Sequence, residues 1–85
     1  GMINTLNNIG VVYFKQGKYS QAINKYSLSL SLSENNKNKP GMARALTNIG
    51  NIYYFKEDYD ESLKYYEKSQ LIFEEMEDKF GLAST

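Results

Sequence analysis

The chain has 85 residues, of which 41% are hydrophobic and 24% charged, an ordinary balance for a globular domain. It contains no cysteine and no histidine, so structural zinc sites, thiol catalysis and Ser-His-Asp chemistry each lack a key residue. Its formal net charge is zero, and no apolar run has the length of a membrane helix or a signal peptide core. We therefore expect no enzyme, and no metal, cofactor, nucleic acid or membrane as a partner. The absence of cysteine suits a reducing compartment, which favours a cytoplasmic location.

The zero net charge hides an uneven distribution along the chain. Residues 1–40 hold five lysines against one glutamate, a net charge of +4. Residues 41–85 hold five basic residues against nine acidic ones, a net charge of −4. Two interpretations remain open at this point: two solvated surfaces, or head-to-tail attraction between copies of the chain.

An internal repeat organises the sequence. Residues 6–13 recur in altered form at 46–53, and Gly10 and Gly50 lie 40 residues apart. The register extends through both halves without a gap, and residues 79–83 resemble 39–43. A fixed period of about 20 to 50 residues indicates a repeat array. We predict one repeat over 1–40, a second over 41–80, and the beginning of a further repeat at 81–85.

Each repeat is predicted to form two helices, at about 3–16 and 19–34 in the first copy and about 41–56 and 59–78 in the second. In the first helix, apolar residues recur at the spacing of one helical face, which we expect to be buried: Leu6, Ile9, Gly10 and Tyr13. Gly17 then suits the C-terminal cap. Serine and leucine alternate over 27–33, which is typical of a strand. The equivalent residues 67–73 lie in a strongly helical stretch, so we predict a helix there too.

A glycine in the middle of a helix costs about 1 kcal/mol relative to alanine, so Gly10 and Gly50 need a reason. Both lie on the predicted buried face. We expect the missing side chain to leave room for the ring of Tyr26 or Tyr66 from the partner helix.

These residues resemble the tetratricopeptide repeat. That pattern places a large apolar residue, a Leu-Gly pair and a tyrosine on the first helix, and a small, an aromatic and a small residue on the second. The matching positions are Leu6, Ile9, Gly10, Tyr13, Ala22, Tyr26 and Ser29, and their counterparts Leu46, Ile49, Gly50, Tyr53, Ser62, Tyr66 and Ser69. The period is 40 rather than about 34, which is similar to the long-helix form in kinesin light chains and bacterial signalling proteins. The resemblance implies an all-α fold, a right-handed α-α superhelix of antiparallel helix pairs.

The resemblance also implies that the first helix of each copy lines a concave groove that binds a peptide or helix. The residues expected there follow one helical face: Asn4, Asn8, Val11 and Lys15 in the first copy, and Arg44, Asn48, Asn51 and Phe55 in the second. Asparagine offers both a donor and an acceptor to a partner's backbone amide, and Arg44 suits a carboxylate. For Asn8 and Asn48, a solvated surface or an inter-helix hydrogen bond remains the alternative. Only Asn48 matches the family's carboxylate clamp well.

Two functional hypotheses follow from these observations. The leading one is a non-enzymatic protein-protein interaction module, part of a larger scaffold or signalling protein. The alternative is self-assembly into a homo-oligomer through the uncovered apolar side of helix 59–78, because repeat arrays generally need capping repeats. The residues expected in that contact are Leu63, Phe73, Met76 and Phe80.

Overall fold

A computed structural model describes residues 2–79, with side chains for residues 3–76. The chain forms four helices: α1 (Met2–Lys15), α2 (Tyr19–Asn35), α3 (Lys39–Phe55) and α4 (Tyr59–Lys79). The described residues contain no strand, so the expected all-α fold of helix pairs is confirmed, and residues 27–33 are helical. Helix α3 begins two residues before the predicted start. Asn38 caps it by accepting a hydrogen bond from the backbone N–H of Gly41 at 3.1 Å, and Pro40 lies in the first turn, where a helix tolerates proline.

The four helices form two layers. Each helix packs against the next one in the chain, and α1 also contacts α3. Within residues 2–79, α2 and α4 do not contact each other. Because α1 contacts α3, these two helices form one layer, which we call the inner layer, and α2 and α4 form the other, outer layer.

Close helix approach at Gly10 and Gly50 holds each helix pair together. A Cβ atom built at Gly10 would lie 2.6 Å from Cε1 of Tyr26, and one at Gly50 would lie 2.8 Å from Cε1 of Tyr66. Real Cβ atoms do not tolerate such distances, so each tyrosine ring occupies the space that a side chain would need. The expected reason for the two mid-helix glycines is therefore confirmed.

The three turns between helices share one hydrogen-bond pattern. After α1, the N–H of Lys18 donates to the carbonyl of Tyr13 at 2.8 Å, and Gly17 N–H donates to Phe14 at 3.0 Å. Equivalent pairs of hydrogen bonds follow α2 and α3, which is the Schellman motif. The residue at the left-handed position is Gly17 (φ 78°), Lys37 (φ 56°) or Glu57 (φ 65°). Only the first turn has the residue that adopts this conformation without steric cost.

The main core lies between the two repeats. Ala22 and Tyr26 of α2 pack against Ile49 and Ile52 of α3, and all four side chains are buried. A second cluster joins Ala43 and Leu46 of α3 to Ile72 of α4. Apolar burial at about 25 cal/mol per Å² therefore stabilises both the pairing within a repeat and the stacking of one repeat on the next.

The expectation that Ile9 is buried is wrong. Ile9 is 37% exposed, whereas its counterpart Ile49 is 1% exposed. The reason is position in the array. Ile49 faces α2, while no described helix precedes α1 to cover Ile9.

Replacing Gly50 with leucine should destabilise the fold, because the new side chain would occupy the space of the Tyr66 ring. We expect the free energy of unfolding to fall by about 1–3 kcal/mol, the usual cost of overpacking. Urea denaturation followed by circular dichroism measures this. The double variant Gly50→Leu/Tyr66→Ala should lose less than the two single changes added together. If the losses of the two single variants simply add in the double variant, the glycine at position 50 does not act by making room for the Tyr66 ring.

Replacing Glu57 with glycine should stabilise the chain by about 1 kcal/mol, because glycine adopts a positive φ without the clash of a Cβ atom. The matched control is Glu57→Ala, which removes the charge but keeps the Cβ atom and should bring no gain. Thermal unfolding of both variants checks the difference. Equal gains in the two variants would assign the effect to charge instead of backbone conformation.

Candidate functional site

The residues expected in the groove lie on α1 and α3, the two helices of the inner layer. Five of their side chains are exposed: Asn4, Asn8, Lys15, Arg44 and Phe55. The other three are half-buried: Val11, Asn48 and Asn51. Because α1 contacts α3 directly, the two sets of side chains belong to neighbouring helices of one layer.

Most of the polar side chains in this set have no internal partner. Among the described residues, no hydrogen bond or ion pair engages the side chains of Asn4, Asn8, Lys15, Arg44 or Asn48. Asn8 and Asn48 therefore do not join helices by hydrogen bonds, which was one alternative for them. Their amide groups offer both donors and acceptors at the surface.

Two members of the set have structural contacts that the sequence did not indicate. Asn51 accepts a hydrogen bond on Oδ1 from the hydroxyl of Tyr66 on α4, so half of its carboxamide is already engaged. Val11, at the equivalent position of α1, packs against the core cluster around Tyr26. Both positions therefore lie at the side of the layer, next to the second helix of their own pair.

An aromatic row closes one end of the inner layer. The ring centroids of Phe14 and Phe55 lie 5.2 Å apart and so join α1 to α3 edge to face. The row continues on one side from Phe14 to Tyr19 at 5.7 Å, and on the other from Phe55 through Tyr54 to Tyr59, at 6.0 and 5.4 Å. Of these residues, only Phe55 was expected in the groove. The aromatic character shared by positions 14 and 54 was the available signal.

Charge is segregated between the two layers. Helices α1 and α3 carry Lys15, Lys39 and Arg44 and no acidic residue. Helices α2 and α4 carry eight acidic residues against four lysines. The inner layer is therefore cationic, although the whole chain has no net charge.

Polar contacts fix α3 against α4 beneath this surface. The hydroxyls of Thr47 and Ser69 lie 2.7 Å apart, and Ser62 donates to the carbonyl of Gly50 at 2.9 Å. The counterparts of Thr47 and Ser69 in the first repeat are Asn7 and Ser29. Both are buried, and their side-chain polar atoms have no hydrogen-bond partner among the described residues. The buried polar side chains between α3 and α4 thus have more hydrogen-bond partners than those between α1 and α2.

Two tyrosines in the core have perturbed acidity. Burial raises the pKa of Tyr26, whose side chain lies between α1 and α3 and is 3% exposed. Burial also raises the pKa of Tyr53, with smaller contributions from Tyr65, Glu61 and Asp58. Loss of a proton would put an anion into the buried position of Tyr26 and beside the acidic side chains near Tyr53, so both rings hold their protons to higher pH than a free tyrosine.

The residues expected to mediate self-association have different surroundings. Leu63 and Phe73 are exposed on α4. Met76 is half-buried and packs against the cluster of Ala43, Leu46 and Ile72, so its contacts are largely internal. Phe80 lies outside the described residues.

The fold and the repeated Gly–Tyr contact define an all-α repeat protein, and comparison with known families identifies which one. The model of the tetratricopeptide repeat family matches residues 1–75, so the chain belongs to that family. Repeats of this family are generally protein–protein interaction modules. A comparison with curated proteins found no match. Over the part of the chain that the structure describes, no helix combines the length and apolar character needed to cross a membrane.

Alkaline pH should lower the stability of the protein through Tyr26 and Tyr53. In the unfolded chain they lose their protons near their ordinary pKa of about 10, whereas in the folded chain they hold them to higher pH. The contribution of the two neutral tyrosines to the free energy of unfolding is therefore fully present below about pH 10. It is lost as pH rises through the raised pKa values, by up to about 1.4 kcal/mol per pH unit for each group.

Urea denaturation across this pH range measures the decline. The variant Tyr26→Phe cannot ionise at that position, so it should lose stability less steeply than the unchanged chain. An identical slope would mean that Tyr26 does not contribute.

Proposed function

We propose that the inner layer formed by α1 and α3 binds an acidic segment of a partner protein. The observation that carries this proposal is the acid-free composition of both helices, together with polar side chains that have no internal partner. The family provides the coarser fact, that such repeats bind proteins. A role within a larger scaffold or signalling protein is part of the same proposal.

The chemistry of recognition follows from three kinds of side chain. Asn8 and Asn48 each offer an N–H donor and a carbonyl acceptor, the complement of a peptide backbone, without selecting its side chains. Arg44 and Lys15 attract carboxylates, and the guanidinium can hold one through two parallel hydrogen bonds. These groups favour a partner segment that carries aspartate or glutamate.

The aromatic row supplies an apolar contact at one end of the layer. Phe55 is well exposed and is held in place by Phe14, so a partner's apolar side chain can pack on a surface that is already ordered. A segment with one apolar residue beside several acidic residues matches this arrangement best.

The test is a selection from a random peptide library displayed on phage, followed by affinity measurements on the selected peptides. We expect the selected peptides to be enriched in acidic residues. Arg44→Ala should weaken binding about tenfold or more, since a hydrogen bond to a charged group contributes about 1.5–3 kcal/mol and 1.4 kcal/mol is a factor of ten. Asn48→Ala should weaken binding by about fivefold or more, since it removes two neutral hydrogen bonds to a peptide backbone of about 0.5–1.5 kcal/mol each.

Matched controls come from the outer layer. Lys64→Ala removes an exposed cation from α4, and Asn24→Ala removes an exposed carboxamide from α2. Both should bind the selected peptides at full strength. If Arg44→Ala and Asn48→Ala also bind at full strength, the inner layer is not the binding surface.

A further inference from the structure

We propose that Tyr66 is a positioning residue, which turns the carboxamide of Asn51 so that its NH2 group faces an acidic side chain of the partner. This inference rests on the proposed function, because it concerns the same inner layer and the same acidic segment. It goes further in two respects. It locates recognition of a carboxylate in the second repeat, and it assigns a role in that recognition to a residue of the outer layer.

The hydrogen bond between Tyr66 and Asn51 fixes which end of the carboxamide is free. The hydroxyl of Tyr66 donates to Oδ1 of Asn51, so the carbonyl end is turned toward α4. Among the described residues, no hydrogen bond engages Nδ2 of Asn51. A carboxamide that is held by its oxygen presents its two N–H donors to a partner, whereas an unheld carboxamide can present either end.

Tyr66 is held firmly enough to impose this orientation. Its ring packs on Gly50, where an added Cβ atom would lie 2.8 Å from Cε1 of the ring. One helical turn earlier on α4, the hydroxyl of Ser62 donates to the carbonyl of Gly50 at 2.9 Å. Because the ring has little space in which to move, its hydroxyl stays beside Asn51, the next residue on α3.

The N–H donors of Asn51 share a helical face with two other donor side chains. Arg44, Asn48 and Asn51 are spaced at i, i+4 and i+7 of α3, and residues three or four apart on a helix have Cβ atoms about 5–6 Å apart. A carboxylate has two oxygens and accepts several hydrogen bonds, so one such group can bridge neighbouring members of this set. The first repeat lacks the full set, because Val11 stands at the position of Asn51 and cannot donate.

A helix packed beside α3 would not remove position 51 from solvent. Val11 is the counterpart of Asn51, and it is only half-buried although α3 lies beside α1. By contrast, Tyr26 is 3% exposed beneath α3, so a neighbouring helix buries the tyrosine position. The proposal needs Asn51 to be accessible and Tyr66 only to be fixed, so it does not depend on whether a further helix packs on α4.

Affinities for matched peptides test the role of Tyr66. The probes are the tightest-binding acidic peptide from the phage selection and versions of it in which one aspartate or glutamate at a time becomes asparagine or glutamine. The measured quantity at each position is the affinity of the acidic peptide divided by that of its amide version. Asn51→Ala should lower this ratio at one position, which identifies the carboxylate that contacts Asn51.

Tyr66→Phe keeps the ring on Gly50 and removes only the hydroxyl, so circular dichroism should show unchanged helix content. We expect the ratio at the identified position to fall about three- to tenfold, the equivalent of one hydrogen bond, because the freed carboxamide can turn its oxygen toward an amide. With Asn51→Ala already present, Tyr66→Phe should cause no further fall. A tyrosine that only stabilised the fold would weaken both peptides alike and leave the ratio unchanged.

The matched control is Tyr26→Phe, which removes the counterpart hydroxyl in the first repeat, where Val11 cannot accept a hydrogen bond. It should leave every ratio unchanged, and a fall equal to that of Tyr66→Phe would contradict the proposal. If acidic peptides bind but Asn51→Ala or Tyr66→Phe leaves all ratios unchanged or raises them, the positioning role is wrong and the proposed function stands. If the selection yields no acidic peptide, the proposed function is wrong and the positioning role fails with it.

Discussion

The contact between a mid-helix glycine and a tyrosine ring is the constraint on which the rest of the structure depends. At Gly10 and Gly50 the first helix of each pair has no side chain, so the tyrosine of the second helix can pack directly against its backbone. This fixes how closely the two helices approach. Because the same contact occurs in both repeats, the pairs have similar geometry and one can stack on the other, with α1 and α3 in the same layer.

The two glycine–tyrosine contacts differ in how deeply the tyrosine is buried. Tyr26 is almost fully buried because α3 of the next repeat packs over it, whereas Tyr66 is only half-buried. The hydroxyl of Tyr66 donates a hydrogen bond to Asn51, at a position where the first repeat has the apolar Val11. A repeat array is stable through contacts within each repeat and between neighbours, so residues at its ends retain exposed surface that interior residues bury.

Segregation of charge gives the two layers different binding properties. Acidic residues lie on α2, on α4 and in the last turn, and none lies on α1 or α3. A chain of zero net charge can therefore present one cationic layer and one layer that carries the helical acidic residues, and this difference supports the binding of an acidic segment that we propose. The inner layer combines unpaired carboxamides with cations.

The sequence by itself determined the four helices and the pairing of glycine with tyrosine, whereas the choice of α1 and α3 for the candidate groove came from the resemblance to the repeat family. These features depend on local spacing and on a repeat that presents each pattern twice. Only the tertiary structure decided that Ile9 is exposed while Ile49 is buried, that Asn51 bonds to Tyr66, and that Phe14 and Phe55 join two helices into an aromatic row. Whether a side chain is buried, and which groups it contacts, depends on which helix lies next to it in space. Two residues with the same local sequence, such as Ile9 and Ile49, differ in burial because a neighbouring described helix packs on one and not on the other.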